Sequence, residues 1–109
     1  MTSKQMINAF LSKAKTLVEQ KRFIYYPRRK TIQTLMSLGL TISDLKDCIC
    51  SLNDCNYYAG PKINYDGGGD IWEFKKYLFK KRIYIKLSIE NDDEELLVCL
   101  SFHEDEPRS

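Results

Sequence analysis

The feature that most limits the possible folds is a pair of alternating segments in the last third of the chain, 81–89 and 95–103. In the first, apolar side chains at every second position alternate with polar ones, which is the period of a strand with one buried face. The acidic segment NDDEE (91–95) lies between them and predicts a hairpin. In the second strand we expect the buried face to hold Leu96, Val98, Leu100 and Phe102.

The hairpin would also gather polar side chains on its second face. Because side chains alternate between faces, burying both apolar faces turns the remaining ones to one open side, whatever the register. These are Arg82, Tyr84, Lys86, Ser101 and His103, the last being the only histidine of the chain. Arginine and lysine bind phosphate, and imidazole, with an unperturbed pKa of about 6.5, can move protons near neutral pH. The cluster therefore indicates binding and cleavage of a phosphodiester.

Helical patterns occupy the first half of the chain. Apolar residues spaced by three and four positions predict a first helix over about 3–20 and a second over about 28–38. The segment TISD (41–44) has the pattern of a capping box and predicts a third helix that extends to about Leu52. Glycine and proline are frequent in 53–70, so we expect a long loop there, of a length that favours a functional role.

The order of these elements predicts an α+β domain. Three strands, at about 71–77, 81–89 and 95–103, follow the helices as an antiparallel meander. The segment FIYYP (23–27) is either an edge strand or an extended linker. We therefore expect a single two-layer domain over 1–109, with N-terminal helices packed on one face of a three-stranded or slightly larger antiparallel sheet.

Composition and charge narrow the function. The chain has no apolar run near the ~20 residues of a membrane span and no apolar region of a signal peptide, so we expect a cytoplasmic protein without a membrane partner. Residues 1–30 hold eight Lys or Arg against one acid, whereas 91–109 hold seven acids against one Arg. This asymmetry favours a polyanionic partner, with the acids kept to one edge. The alternative is that the lysines only solvate the surface.

The cysteines do not predict a metal site. They are Cys48, Cys50, Cys55 and Cys99, and no CxxC pair is among them. Residues two apart on a helix, such as Cys48 and Cys50, point to different sides. We expect free thiols in a reducing cytosol, with no metal and no other cofactor.

Five segments in order carry a resemblance to a known family. They are RRKTIQTLMSLGLT (28–41), YYAGPK (57–62), DIWEF (70–74), IYIKL (83–87) and LSFH (100–103). Together they resemble the MqsR family, small bacterial toxins of type II toxin–antitoxin systems, over about residues 21–103. The resemblance implies a RelE-like fold, metal-independent endoribonuclease activity on mRNA, and neutralisation by a cognate antitoxin protein.

The resemblance also implies candidate catalytic residues. Tyr84 falls on the family's functional tyrosine. Glu73 stands where the best-studied branch has a glutamine, and His103 stands where that branch has a lysine. The family's other active-site lysine follows the aromatic residue before the loop, and Lys62, a few positions away, is the nearest candidate here.

Metal-free RNA cleavage requires three catalytic functions: activation of the 2′-OH, donation of a proton to the 5′-oxygen, and neutralisation of the phosphorane by cations. His103 suits the proton transfer, and Tyr84 can hydrogen-bond or stack on a base. To these we add a set of candidate RNA-binding residues: Arg82, Lys86, Lys75 and Tyr58.

Two other classes of function stay open. A protein of the same fold could bind single-stranded RNA or a protein without catalysis, since His103 and Glu73 depart from the best-studied branch. A helix–turn–helix around 38–41 could bind DNA, but its second helix carries Asp44 and Asp47, which repel a phosphate-lined groove.

Overall fold

The protein has two layers, one of helices and one of strands. The computed structural model describes residues 2–105. In chain order the elements are α1 (Lys4–Glu19), β1 (Phe23–Tyr25), α2 (Arg29–Leu38), α3 (Ile42–Cys50), a 3-10 turn (Asp54–Asn56), β2 (Tyr57–Lys62), β3 (Ile71–Leu78), β4 (Lys81–Asn91) and β5 (Glu95–Glu104). Within this range, no helix combines the length and the apolar character that crossing a membrane requires.

The three helices begin and end close to the predicted positions, because local signals fix their ends. The Ser3 side chain accepts a hydrogen bond from the Met6 backbone N at 3.1 Å and caps α1. Thr41 and Asp44 form the predicted capping box of α3, each side chain bonded to the backbone of the other. Gly39 ends α2 in the left-handed region at φ 66°, which glycine adopts without strain.

The sheet has five strands in the order β1-β5-β4-β3-β2. Its four neighbouring pairs are antiparallel except β1 and β5, which run parallel. The predicted α+β fold with helices packed on the sheet is confirmed, and it is roughly consistent with a RelE-like fold, with a larger sheet. The expectation of a purely antiparallel sheet is wrong, because Phe23–Tyr25 pairs as a parallel edge strand.

The predicted loop over 53–70 is also wrong in its first half, because β2 lies there as the other edge strand. An edge strand tolerates Pro61, since the missing N–H has no neighbouring strand to serve. A Cβ on Gly60 would lie 2.6 Å from the backbone O of Ile71, so the close approach of β2 to β3 requires glycine. The residues that predicted a loop therefore belong to an irregular edge strand with two register shifts.

A β-bulge interrupts the pairing of β4 with β5. Lys86 pairs with Ser101, but the next residue, Leu87, pairs with Cys99. Leu100 is therefore an extra residue on β5, and the alternation of faces changes phase at this point.

The bulge overturns part of the predicted buried face of β5, which comprised Leu96, Val98, Leu100 and Phe102. After the bulge, Phe102 packs in the core as predicted. Before it, the core positions belong to Leu97 and Cys99, while Val98 pairs with Ser88 on the opposite face. The claim that alternation alone fixes the faces is thus wrong, although Ser101 and His103 lie after the bulge and keep their predicted side.

The core lies between the helices and one face of the sheet. Phe10 of α1 stacks on Trp72 of β3 with ring centroids 4.6 Å apart. The fully buried side chains of the core include Leu45 and Ile49 of α3 and Phe74 and Ile85 of the sheet. Each such side chain contributes about 1.5–3 kcal/mol on burial, so the apolar face of the hairpin anchors β3, β4 and β5.

Helix α2 covers the edge of β5 beyond the end of β1. The hydroxyls of Thr31 and Thr34 accept hydrogen bonds, both of 3.2 Å, from the backbone N–H groups of Phe102 and Glu104. Two edge donors that lack a strand partner are thereby satisfied. This contact fixes the end of β5 that carries His103.

Candidate active site

Strand pairing arranges the polar residues of the open face in rows. The two central rows, across β3, β4 and β5, are Lys75–Tyr84–His103 and Glu73–Lys86–Ser101. The rings of Tyr84 and His103 lie 5.2 Å apart between centroids and are tilted by 41°. The register therefore brings the predicted histidine and tyrosine into direct contact on one face.

Glu73 connects β3 to both neighbouring strands. It is a carboxylate only 6% exposed, and its Oε1 accepts a short hydrogen bond from the Tyr84 hydroxyl. Its Oε2 lies 2.5 Å from Nζ of Lys62 on β2. Oε2 is buried and has no well-angled hydrogen bond within residues 2–105. The nearby Lys62 charge therefore offsets the cost of burying this oxygen. Lys62, Glu73 and Tyr84 thus form a connected network of contacts across three strands.

The charges in the network of Lys62, Glu73 and Tyr84 stabilise one another. Burial raises the pKa of Glu73, but the ion pair with Lys62 and the Tyr84 hydrogen bond outweigh it, so the pKa lies below its ordinary value. Burial, together with the bond to Glu73, raises the pKa of Tyr84 above its ordinary range. The close contact with the Glu73 carboxylate raises the pKa of Lys62. At neutral pH the site therefore holds a carboxylate, a neutral phenol and an ammonium group.

His103 is oriented by the backbone next to it. Its Nδ1 lies 3.0 Å from the carbonyl O of Glu104. A carbonyl oxygen only accepts, so Nδ1 carries the hydrogen in this contact and, in the neutral ring, Nε2 keeps its lone pair. His103 is half-buried, and among the described residues its Nε2 has no hydrogen-bond partner, so this nitrogen can accept a substrate proton.

Asp105 is a site residue that the sequence interpretation missed. Its Oδ2 lies 2.9 Å from Nζ of Lys75 and 2.9 Å from the guanidinium of Arg82. Lys75 Nζ also lies 3.8 Å from the ring centroid of Tyr58. The expectation that the acids stay at one edge is therefore wrong, because Asp105 reaches the open face and neutralises part of its charge. The sequence feature that could have pointed to Asp105 is the run of acidic residues after His103, but such a run alone does not show where the side chains point.

Lys86 differs from the other candidate cations. It lies between Glu73 and Ser101 on the neighbouring strands. Lys62, Lys75 and Arg82 each contact a carboxylate, whereas Lys86 makes no ion pair in the part of the chain that the structure describes. Its charge is therefore the most available to a phosphate.

Neither the cysteines nor a metal ion is assigned a role in the candidate site. Burial raises the pKa of Cys48 to about 11 and that of Cys99 to about 12, so both stay protonated and unreactive. Between residues 2 and 105, no three His, Cys, Asp or Glu side chains are grouped so as to hold a metal ion.

All eight residues selected from the sequence lie on the open face or at its β2 edge, and their chemistry carries the functional argument. No protein-family model matches the chain, and no curated protein matches it.

Proposed function

We propose that this protein is a metal-independent endoribonuclease that cleaves single-stranded mRNA. The observation that carries the proposal is His103, which is fixed through Nδ1, makes no hydrogen bond through Nε2 with any residue from 2 to 105, and lies beside Tyr84 on a face that also presents Lys86. Following the family resemblance, we further propose that it acts in the cytoplasm as a toxin. An antitoxin protein that covers this face would silence it.

The proposed reaction is transesterification at one phosphodiester. His103 Nε2 takes the proton of the 2′-OH, the O2′–P bond forms, and the P–O5′ bond breaks. The imidazolium formed in the first half then gives its proton to O5′. The products are a 2′,3′-cyclic phosphate and a 5′-OH end. Lys86 and Lys62 stabilise the charge that develops on the phosphoryl oxygens.

Glu73 and Tyr84 have positioning roles in this scheme. Both oxygens of Glu73 are engaged and its pKa is lowered, so it is a poor proton acceptor. The Tyr84 proton points to Glu73, and the raised pKa keeps it there. Glu73 holds the Lys62 ammonium at the β2 edge of the open face, and its bond to Tyr84 holds the phenol ring that lies next to His103. Arg82, Lys75 and Tyr58 extend the RNA contact.

A non-catalytic RNA-binding module is the second candidate. It is favoured by the carboxylates of Glu73 and Asp105, which already pair with Lys62, Lys75 and Arg82. A DNA-binding helix–turn–helix has less support, because Leu45 and Ile49 of α3 are buried and its exposed side carries Asp47.

Incubation of the purified protein with a long RNA in EDTA distinguishes these functions. The nuclease yields discrete cuts with 2′,3′-cyclic phosphate and 5′-OH ends, and its RNA affinity falls steeply with salt. Salt-sensitive binding without cleavage indicates the non-catalytic module. Cleavage that EDTA abolishes contradicts the metal-free scheme.

A further inference from the structure

A cavity of about 510 Å³ lies on the open face next to the proposed site. Lys86 lines it and is shared with the catalytic rows. The other walls come from the segment after β1, from the end of β4 with Asp92 of the following turn, from the segment 63–70 with the first residue of β3, and from Leu100 of β5. None of these other walls takes part in the chemistry described above.

The segment 63–70 is held against β4 by specific contacts. The Ser88 hydroxyl donates a 2.7 Å hydrogen bond to the carbonyl O of Gly69. A Cβ on Gly69 would lie 1.9 Å from the carbonyl O of Ile89, so this approach requires glycine. The Asn64 side chain accepts a hydrogen bond from the Asp66 backbone N at 3.2 Å. The wall of the cavity is therefore a defined structure that positions Asp66.

The cavity combines both signs of charge with an aromatic ring. Its cations, Arg28 and Lys86, form no ion pair with any residue from 2 to 105. The Arg28 guanidinium lies 5.8 Å from the centroid of the Tyr26 ring. Asp66, Glu90 and Asp92 supply carboxylates to the same cavity. A ligand that carries an anion at one end and hydrogen-bond donors at the other satisfies both sets of groups.

A nucleotide is such a ligand. Its phosphate suits Lys86 and Arg28, and its base can stack on an aromatic ring or a guanidinium plane. Carboxylates accept hydrogen bonds from exocyclic amino groups, which adenine, cytosine and guanine have and uracil lacks. A bare phosphate would leave Asp66 and Glu90 without partners and facing an anion.

We propose that this cavity is a nucleobase pocket for a nucleotide next to the scissile phosphate, and that it selects bases with an exocyclic amino group over uracil. The proposal rests on the proposed function for its biological role. Lys86 links the two sites, because it lies two residues along β4 from Tyr84, ~7 Å away. The pocket would set sequence preference without taking part in proton transfer.

Binding of nucleoside 5′-monophosphates tests the pocket without requiring cleavage. In calorimetric titrations up to millimolar concentration, we expect AMP, CMP or GMP to bind about tenfold more tightly than UMP or inorganic phosphate. Glu90→Gln and Asp66→Asn should reduce this preference, because an amide also donates to the carbonyl oxygens of uracil. Asp93→Asn, in the turn between β4 and β5 and outside the cavity lining, is the matched control and should leave the preference unchanged.

Each outcome separates the pocket from the nuclease. Equal binding of UMP and the amino-bearing nucleotides, equal binding of inorganic phosphate, or no binding overturns the pocket, even if the protein cleaves RNA. Preferential binding that Glu90→Gln abolishes supports it, even if no RNA is cleaved, in which case the nuclease proposal fails alone.

Discussion

The contacts of Glu73 predict a measurable and pH-dependent loss of stability for Glu73→Gln. Glutamine keeps an oxygen that can accept the Tyr84 hydrogen bond, but it removes the charge from a side chain that is 9% exposed. A hydrogen bond to a charged group contributes about 1.5–3 kcal/mol and a neutral one about 0.5–1.5 kcal/mol. Lys62 is half-exposed, so its ion pair adds little beyond this. We expect a loss of about 1–2 kcal/mol at pH 7.

The sign of this effect follows from the pKa of Glu73. Because the folded state lowers that pKa, ionised Glu73 stabilises the fold above the ordinary value of 4.5, and the stabilisation is lost as the pH falls through the lower folded pKa. The difference between wild type and Glu73→Gln should therefore be complete at pH 7 and disappear in the acid range below the ordinary value.

Thermal unfolding followed by circular dichroism measures the loss. An unfolding entropy of roughly 2.1 cal/mol/K per residue gives a decrease in Tm of about 4–9 °C for 1–2 kcal/mol in a domain of this size. Glu94→Gln is the matched control, because Glu94 is 70% exposed and its Oε1 lies 3.6 Å from Arg22. Its Tm should change by less than about 2 °C. A Glu73→Gln protein as stable as wild type at pH 7, or a difference that is constant with pH, would refute the argument.

Two further substitutions test the fold. The β3–β4 turn places Phe79 and Lys80 at φ 50° and 67°, where L-residues other than asparagine are strained. Replacing the pair by Asn-Gly should stabilise the protein by about 1–2 kcal/mol in urea unfolding, and unchanged stability would show that the turn is not strained. Thr31→Val removes the acceptor of the buried Phe102 N–H and should cost about 1–3 kcal/mol. Thr31→Ser should restore most of the loss, and a Thr31→Val protein of wild-type stability would contradict the edge-capping role of α2.

Local signals in the sequence were sufficient for part of this structure. The capping box of Thr41 and Asp44 fixes the start of α3, and the strict alternation of β4 fixes its faces. These features depend on neighbouring residues alone, so they can be read without a partner strand. The shared face of Tyr84 and His103 needed the pairing of β4 with β5 as well, and its prediction held because both residues lie on the same side of the bulge.

Features that depend on pairing between distant segments could not be predicted. Residues 96–100 are apolar in both phases, so the sequence contains no mark of the bulge at Leu100. The β2 strand is stabilised by β3, and its glycine and proline conceal it. Asp105 belongs to the site only because β5 ends beside Lys75, a contact that no local pattern encodes.

The measurement that tests the central claim most directly is the single-turnover cleavage rate of His103→Ala and His103→Gln. A polar side chain near the end of β5 adds little to the core, so both variants should unfold within a few degrees of wild type. If Nε2 moves the proton, both rates should fall by about 10²–10⁴, the contribution of one positioned proton-transfer group. The cleavage rate of Tyr84→Phe should fall less than that of the His103 variants, because Tyr84 has a positioning role. A folded His103→Ala protein that cleaves RNA at the wild-type rate would remove histidine from the mechanism and contradict the account.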